Sequence, residues 1–323
     1  MFLSLVLFAI GLVLLIYGGD WFVDGATGIA KRFRLPDIVV GATVVSIGTT
    51  LPEVMVSTTG ALQGSGAMAY GNAIGSIICN TSLIAAISIV CNPGPVNTKS
   101  MKTPAIFFFL SSAIYCLAAY GLGTFPRWLG LIMLSVFAVY MFLTVRNGLR
   151  NPDAAAEEAE EGKEKALWQE LLLLVGGAAI IAVGADLLVE HGQIIAIKLG
   201  VPETVVALLF VALGTSLPEL VTTITSLRKG RASLGVGNVI GANIFNLVLV
   251  SGVAVTLAPF DVPVENTLLN TGLNLSLVFD IPVMLGVMGL MIVPALVGKK
   301  LSRWQGLVLM GIYAAFCVCQ FVL

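Results

Sequence analysis

Ten apolar runs occupy most of the chain, and their length limits what it can fold into. A helix needs roughly 20 consecutive apolar residues to cross a bilayer, and each run is near that length. The runs cover residues 2–23, 38–62, 69–91, 104–121, 127–145, 167–189, 203–227, 233–257, 281–298 and 304–322. Only 11% of the 323 residues are charged, whereas soluble domains carry about 25%. The sequence therefore predicts an all-α integral membrane protein with ten transmembrane helices in a lipid bilayer.

The basic residues predict how these helices are oriented. If the N-terminus lies outside, the inner connections hold fifteen of the seventeen Lys and Arg residues, and the outer ones hold only Arg127 and Lys198. Cytoplasmic connections of membrane proteins carry such an excess of positive charge. No basic residue precedes the first run and no small-residue cleavage site follows it, so we expect a span rather than a signal peptide. The prediction is a multi-pass protein of the cell membrane with both termini outside.

The two halves of the chain match each other in a single alignment, which we term the repeat register. It pairs residues 36–80 with 202–246 without a gap and gives 17 identities in 45 positions. Each half contains five predicted spans, an odd number, so the second copy must enter the membrane from the opposite face. Inverted repeats of this kind build many secondary transporters. We predict a five-helix repeat over residues 1–145, an inner-side linker over 146–166 and an inverted five-helix repeat over 167–323.

One carboxyl group lies deep in the second predicted span and another in the seventh. Glu53 and Glu219 occupy matched positions in the segments GTTLPE and GTSLPE. A charged group inside a bilayer is costly unless it is paired, and no Lys, Arg or His is predicted at that depth. Two unpaired acids at one level indicate that a cation from solution binds between them.

Further oxygen donors share the helical faces of these glutamates. In the second span the hydroxyl groups precede the glutamate by three, four and seven residues, which is the spacing of one helical face. The donors from both halves are Ser46, Thr49, Thr50, Thr215, Ser216, Ser76 and Asn80. Carboxylate, hydroxyl and amide oxygens suit Ca²⁺ and Na⁺ rather than Zn²⁺ or Cu⁺. Ions that share the same carboxylates must compete, which is the basis of an antiporter.

Each glutamate follows a proline directly. Pro52 has no N–H, so we expect it to break its helix and to free the carbonyl group of Gly48. Pro218 is expected to do the same to Gly214. Exposed carbonyl groups at this depth are tolerated where they line a cavity, so they add to the predicted oxygen donors.

Two further sets of matched residues receive structural roles. Close helix packing is predicted for Gly71, Gly75, Gly237 and Gly241. Asp20 and Asp186 lie toward one end of their spans, and we expect them to cap or to form ion pairs near the membrane surface. The net charge of −1 indicates no nucleic-acid partner, and no segment indicates an obligate protein partner.

Four segments carry a resemblance to a known family. They are GTTLPE at 48–53, GNAIGSIICN at 71–80, GTSLPE at 214–219 and GNVIGANIFN at 237–246. In this order they resemble the paired alpha repeats of the cation/calcium antiporter superfamily, and most closely those of its prokaryotic sodium/calcium exchangers. The resemblance covers all ten predicted spans. It implies an antiporter rather than an enzyme, one that exchanges Na⁺ for Ca²⁺ by alternating access and extrudes Ca²⁺ as spans one and six move past a rigid core.

The resemblance also implies roles for individual residues. The calcium site is expected to use oxygens of Glu53, Glu219, Thr49 and Thr215. The sodium sites are expected to add Ser46, Thr50, Ser76, the carbonyl group of Ala212, and Ser216, with Asn80 and Asn246 flanking the centre. Some relatives have an acid at the position of Asn246, which in potassium-dependent members belongs to the K⁺ requirement, and some have a serine at Ala242. One sodium site is therefore expected to be weaker or differently built, and no cofactor is expected besides the transported Na⁺ and Ca²⁺.

Three other functions fit part of the pattern. A proton/calcium exchanger would use the glutamates to exchange H⁺, although the hydroxyl-rich segments favour Na⁺. An intramembrane aspartyl protease is suggested by the segment YGGD ending at Asp20, but that chemistry needs two carboxyl groups that share a proton. A passive channel must bind its ions weakly, whereas a site with two carboxylates binds cations strongly.

Overall fold

The structure is a computed structural model that describes residues 2–150, 165–199, 214–263 and 273–322. Ten helices lie in these ranges. They are α1 (Phe2–Phe33), α2 (Asp37–Leu62), α3 (Gly66–Cys91), α4 (Thr98–Leu122), α5 (Arg127–Leu149), α6 (Leu167–Lys198), α7 (Leu217–Arg228), α8 (Ala232–Leu257), α9 (Ser276–Gly298) and α10 (Arg303–Val322). All except α7 and α10 meet the length and hydropathy expected of a membrane span.

Large apolar side chains cover the outside of this helical bundle. Phe2 is 82% exposed and Val297 is 80% exposed, and many Leu, Ile and Trp side chains on α1, α5 and α6 are also open. Soluble proteins rarely expose contiguous apolar surface on this scale, whereas lipid-facing helices must. The predicted all-helical, multi-pass membrane protein is confirmed, and only two-residue strands interrupt the helices in the described ranges.

Four short strands join connections from the two halves of the chain. β1 (Gly94–Pro95) pairs antiparallel with β4 (Lys300–Leu301), and β2 (Thr124–Phe125) pairs antiparallel with β3 (Phe260–Asp261). β1 precedes α4 and β2 follows it, so the two ribbons lie at opposite ends of that helix. The halves are therefore hydrogen-bonded to each other at both ends of the bundle.

Several helices are longer than the predicted spans. α1 continues to Phe33 rather than to residue 23, and α6 continues to Lys198 rather than to residue 189. Hydropathy marks the part of a helix inside lipid, whereas a helix with charged residues near its end extends into the interface. α9 begins at Ser276 rather than at residue 281 and so includes Asp280, whose Oδ1 accepts a hydrogen bond of 2.7 Å from Gln320.

Helix α8 lies in the interior and packs closely against α2. Every residue from Leu234 to Phe245 is buried, as expected of a helix that is apolar on all faces. A Cβ atom added to Gly237 would lie 2.8 Å from Ile38 Cα, and one added to Gly241 would lie 2.6 Å from Ala42 Cα. Since a larger side chain would collide with the α2 backbone, the predicted packing role of these two glycines is confirmed.

The matched glycines of α3 have no such neighbour in the described ranges. No described residue lies within 4 Å of a Cβ atom added to Gly71 or Gly75. The first part of the seventh predicted span, residues 203–213, lies outside the described residues. The packing role of these two glycines therefore stays a prediction.

Glycines also bring α1 and α6 together. A Cβ atom added to Gly11 would lie 2.9 Å from the Gly184 carbonyl oxygen, and one added to Gly177 would lie 2.9 Å from the Gly18 carbonyl oxygen. The repeat register has an offset of 166 residues, so Gly11 corresponds to Gly177 and Gly18 to Gly184. The two contacts are therefore equivalent in the two halves. Small residues allow helix backbones to approach closely in membranes, so α1 and α6 form one tightly packed pair.

Candidate cation-binding site

The two predicted glutamates are neighbours inside the bundle. Glu53 on α2 and Glu219 in the first turn of α7 are 0% exposed, and their carboxyl groups are close enough to interact electrostatically. Among the described residues, no oxygen of either carboxyl group has a hydrogen bond or ion pair. Because an unpaired carboxylate is costly to bury, this arrangement favours a cation between the two groups.

Helix α2 supplies hydroxyl groups on the face that carries its glutamate. Ser46, Thr49 and Thr50 are buried together with Glu53. Thr50 Oγ1 has no hydrogen-bond partner in the described part of the chain. Thr49 and Thr50 both neighbour the carboxyl group of Glu219, without a hydrogen bond of standard geometry. Two of the three predicted hydroxyl donors of the second span thus lie beside the glutamate of the other half, whereas Ser46 Oγ donates to the Gly41 carbonyl oxygen at 2.8 Å.

Helix α2 is not broken at its proline. The helix runs without interruption from Ser46 to Leu62 with Pro52 inside it, so the predicted break is wrong. Proline is tolerated within membrane helices when neighbouring helices hold the backbone in place, and α2 packs against α3, α7 and α8. Pro52 still removes the amide that would bond to the Gly48 carbonyl group.

The second half differs at this point. Thr215 and Ser216 lie in a turn, and α7 begins at Leu217 with Pro218 in its first turn. A proline there sacrifices no hydrogen bond, because the first amides of a helix have no intrahelical partner. The first part of this span, residues 203–213, lies outside the described residues, so the predicted break of a helix in this half stays a prediction. The start of α7 at Leu217 puts Glu219 at the N-terminal, positive end of the α7 dipole.

Helices α3 and α8 add amide and hydroxyl groups. Ser76 Oγ and both side-chain polar atoms of Asn80 are buried and lack partners among the described residues. Asn246 Nδ2 donates to the Ala242 carbonyl oxygen at 3.0 Å, which leaves Oδ1 as its free acceptor. Asn80 and Asn246 each begin a π-helical turn, a feature frequent at functional sites.

The remaining predicted donors divide into two cases. Ser216 is buried, and its hydroxyl group has no hydrogen-bond partner among the described residues. Ala212 lies outside the described residues. Across the described ranges, no three His, Cys, Asp or Glu side chains form a group that could hold a metal. In these ranges the oxygens available beyond the two glutamates belong to hydroxyl, amide and backbone groups, which is the donor set of hard cations such as Ca²⁺ and Na⁺.

Two asparagines in the site were assigned no role from sequence. Thr49 Oγ1 donates to Asn238 Oδ1 at 3.1 Å, and Thr215 Oγ1 donates to Asn72 Oδ1 at 3.3 Å. Both asparagines follow the first glycine of the matched GNAIG and GNVIG segments. The sequence shows that the same residue type occurs at both matched positions. It does not show that these side chains contact the threonines, because that depends on how α3 and α8 cross the other helices.

The aspartate that suggested a protease lies elsewhere. Lys229 forms ion pairs with Asp24 at 2.7 Å and with Asp20 at 3.5 Å. The predicted ion pairing is confirmed for Asp20. Asp186 has no ion pair with any described residue, so its role stays a prediction. Because Asp20 is neutralised by a lysine, it is unsuited to share a proton with a second acid.

Comparison with known proteins gives a consistent result. The family model described as "Sodium/calcium exchanger protein" matches residues 3–146 and 170–322. The uncharacterized membrane protein MJ0091 of Methanocaldococcus jannaschii is 33% identical over 306 residues, which cover 95% of this chain and 94% of that protein. The sodium/calcium exchanger MaX1 of Methanosarcina acetivorans is 29% identical, with 97% of both proteins covered.

A solved structure agrees with these relatives. The sodium-calcium exchanger NCX_Mj, soaked with 2.5 mM Na⁺ and 10 mM Sr²⁺, is similar with a TM-score of 0.79 and 30% sequence identity over 97% of each chain. The family model matches both parts of the chain that carry the glutamates. The chain belongs to the sodium/calcium exchanger protein family.

Proposed function

We propose that this protein is a secondary active antiporter that exchanges Na⁺ for Ca²⁺ and extrudes Ca²⁺. The observation that carries the proposal is the buried pair Glu53 and Glu219. Among the described residues, no basic side chain forms an ion pair with either carboxyl group. Two carboxylates balance the charge of one Ca²⁺, or of Na⁺ ions that replace it. Membership of the exchanger family supports cation/calcium exchange, and the relative MaX1 is named a sodium/calcium exchanger.

Calcium binds to oxygens of Glu53, Glu219, Thr49 and Thr215 in this proposal. Sodium uses the same glutamates with oxygens of Ser46, Thr50, Ser76, Ala212 and Ser216, while Asn80 and Asn246 flank the centre. Ser46 and Ser76 are matched by Ala212 and Ala242 in the other half, so the second half offers two hydroxyl groups fewer to Na⁺. The buried, unpartnered oxygens of Thr50, Ser76, Ser216 and Asn246 support this assignment.

The transport cycle proposed is alternating access within ten helices that form two inverted five-helix repeats. The close glycine contacts between α1 and α6 support a cycle in which these two helices move together. The buried crossing of α2 and α8 supports a rigid core that holds the glutamates. No resident cofactor is required, because the driving force is the sodium gradient.

Coupling to Na⁺ rather than H⁺ is favoured by the hydroxyl groups around the glutamates, since protons need no cage of oxygens. Radiocalcium uptake into sodium-loaded proteoliposomes, at clamped pH, tests this directly. Uptake is expected when choline replaces Na⁺ outside, and it should stop when Na⁺ is equal on both sides. Uptake that follows an imposed pH gradient and ignores Na⁺ would instead identify a proton/calcium exchanger.

Both termini are proposed to lie outside the cell. In a cysteine-free background, Gln63→Cys in the α2–α3 connection should react with an impermeant thiol reagent in intact cells. Lys300→Cys in β4 should react only in inverted vesicles. The reverse pattern would overturn the orientation inferred from the basic residues.

A further inference from the structure

A π-helical turn lies in α2 directly before the residues of the cation site. It covers Gly41–Val45, and Ser46 follows it. The amide of Ser46 donates to the carbonyl groups of Gly41 and Thr43. In an α-helix it would instead donate to the carbonyl group of Ala42, four residues earlier. The Ala42 carbonyl oxygen therefore lacks its usual helical donor.

Tyr140 on α5 supplies a donor in its place. The Tyr140 hydroxyl group donates to the Ala42 carbonyl oxygen at 2.8 Å, and both residues are 0% exposed, so water does not compete for this hydrogen bond. Thr144, one turn further along α5, neighbours the same hydroxyl group, but its own Oγ1 has no hydrogen bond of standard geometry with a described residue. A phenol hydroxyl group has a single proton to donate, and here the Ala42 carbonyl oxygen accepts it.

The ring of Tyr140 is held between two other helices. Its centroid lies 5.3 Å from that of Phe107 on α4 and 6.2 Å from that of Phe245 on α8. Phe245 directly precedes Asn246, which begins the π-helical turn of α8. Because its neighbours fix the ring, Tyr140 joins the π-helical turn of α2 to the start of the one in α8.

The turn determines how two faces of α2 are related. Before the turn, Ile38 packs against Gly237 of α8, and after it Glu53 faces the cation site. A π-helical turn bonds an amide to the carbonyl group five residues back rather than four. Successive residues of an α-helix are about 100° apart, so an α-helical turn here would rotate one face by about that angle relative to the other. The π-helical turn thus allows α2 to pack against α8 and to direct Glu53 to the site.

We propose that Tyr140 is a positioning residue of the cation site that acts through the π-helical turn of α2. It binds no ion itself, because its hydroxyl group maintains the turn and the turn directs Glu53. The inference rests on the proposed function, since it takes Glu53 as a ligand of the exchanged cations. The repeat register places Gly306 at the position matched to Tyr140, so the second half does not reproduce this tyrosine.

Removal of one oxygen atom tests the proposal. Equilibrium ⁴⁵Ca²⁺ binding and thermal unfolding are measured on the monodisperse fraction of each purified protein in detergent. Tyr140→Phe keeps the ring but leaves the buried Ala42 carbonyl oxygen without a donor, which favours rearrangement of the turn in the free protein. Calcium binding must then restore the turn, so the calcium dissociation constant should rise roughly tenfold.

Tyr115→Phe is the matched control. Tyr115 on α4 is also 0% exposed, and its hydroxyl group neighbours Ser251 without a hydrogen bond of standard geometry. This variant should bind calcium like the parent protein. A purely structural role of Tyr140 predicts instead that Tyr140→Phe unfolds at a lower temperature with the calcium dissociation constant of the parent. That result, or an equal loss of affinity in Tyr115→Phe, would overturn the proposal.

The outcomes separate this inference from the function on which it rests. If the parent protein binds no calcium, the proposed function fails. If the parent binds calcium and Tyr140→Phe binds it equally well, only the role of Tyr140 fails. Should Tyr140→Phe not be recovered as a monodisperse protein, ⁴⁵Ca²⁺ binding to membranes that contain each variant gives the same comparison without purification.

Discussion

The connection between α2 and α3 and the connection between α7 and α8 have the same backbone and different charges. Residues 63–65 and 229–231 each turn through a left-handed glycine, Gly64 with φ 83° and Gly230 with φ 71°. In both, the amide of the third residue donates to the carbonyl group five residues earlier, at 2.8 and 2.7 Å. The two turns thus share a left-handed glycine and the same backbone hydrogen bond.

The side chains on these two turns differ in charge and in the ion pairs that they form. Lys229 forms ion pairs with Asp20 and Asp24 of α1, and Arg231 forms one of 3.2 Å with Asp37 of α2. The matched positions in the first half hold the neutral residues Gln63 and Ser65. The two connections therefore share their backbone geometry. Only the α7–α8 connection forms ion pairs with other helices in the described ranges, and we propose that this connection is cytoplasmic, where basic residues concentrate.

The largest predicted effect concerns the glutamates, where the halves agree. Glu53→Gln and Glu219→Gln should each abolish sodium-dependent calcium uptake, because either change removes half of the negative charge of the site. Both proteins should remain folded, since replacing an unpaired buried carboxylate relieves its desolvation cost. Uptake and size-exclusion profiles measure the two outcomes. Near-parent transport by one of these variants would contradict a site shared between the halves.

The next effect tests the difference in charge. Arg231→Leu removes a guanidinium group that pairs with Asp37, where the two side chains are only 9% and 4% exposed. Breaking a buried ion pair from one side costs about 3–5 kcal/mol, so the thermal unfolding midpoint should fall markedly. Ser65→Ala, at the matched position, should change stability by less than about 0.5 kcal/mol. Equal losses of stability in Arg231→Leu and Ser65→Ala would show that the ion pair does not distinguish the two connections.

A smaller and equal effect is expected at the shared glycines. Gly64→Ala and Gly230→Ala force an alanine into the left-handed region, which costs roughly 1–2 kcal/mol each. No described atom lies within 4 Å of either added Cβ, so the cost is that of the backbone alone. Gly176→Ala on α6 is the control, because its added Cβ is equally free and its φ is not positive. Unfolding measurements should give similar losses at the two turns and none at Gly176.

The smallest effect comes from making the two connections alike. Lys229→Gln gives the α7–α8 connection the residue found at position 63. Its ion pairs involve side chains that are 28–47% exposed, and exposed pairs contribute at most about 1 kcal/mol. Stability should therefore fall by less than that amount, and the loss should shrink in high salt. If Lys229→Gln lost as much stability as Arg231→Leu, solvent exposure would not determine how much each ion pair contributes.

Much of this fold follows from the sequence because lipid imposes simple rules. Apolar length predicts where helices run, and the repeat register predicts which residues are equivalent. The neighbouring positions of Glu53 and Glu219 follow from the same two rules. Helix ends are harder to predict, because charged residues such as Lys31 remain helical beyond the apolar core.

The details of the site depend on contacts between helices that local sequence does not encode. Pro52 and Pro218 are matched, yet one lies inside a continuous helix and the other at a helix start. The neighbours that hold the backbone decide this, not the proline itself. For the same reason the partners of Asn72 and Asn238 emerge only when the crossing of the helices is known.

One measurement tests most directly whether Glu53 and Glu219 form a single shared site. Equilibrium ⁴⁵Ca²⁺ binding to the purified protein is followed as Na⁺ is raised at constant ionic strength. We predict one class of calcium site whose dissociation constant rises with Na⁺ while its capacity stays constant, and no such site in Glu53→Gln or Glu219→Gln. Calcium binding that ignores Na⁺, or a half-capacity site retained in each variant, would contradict this account.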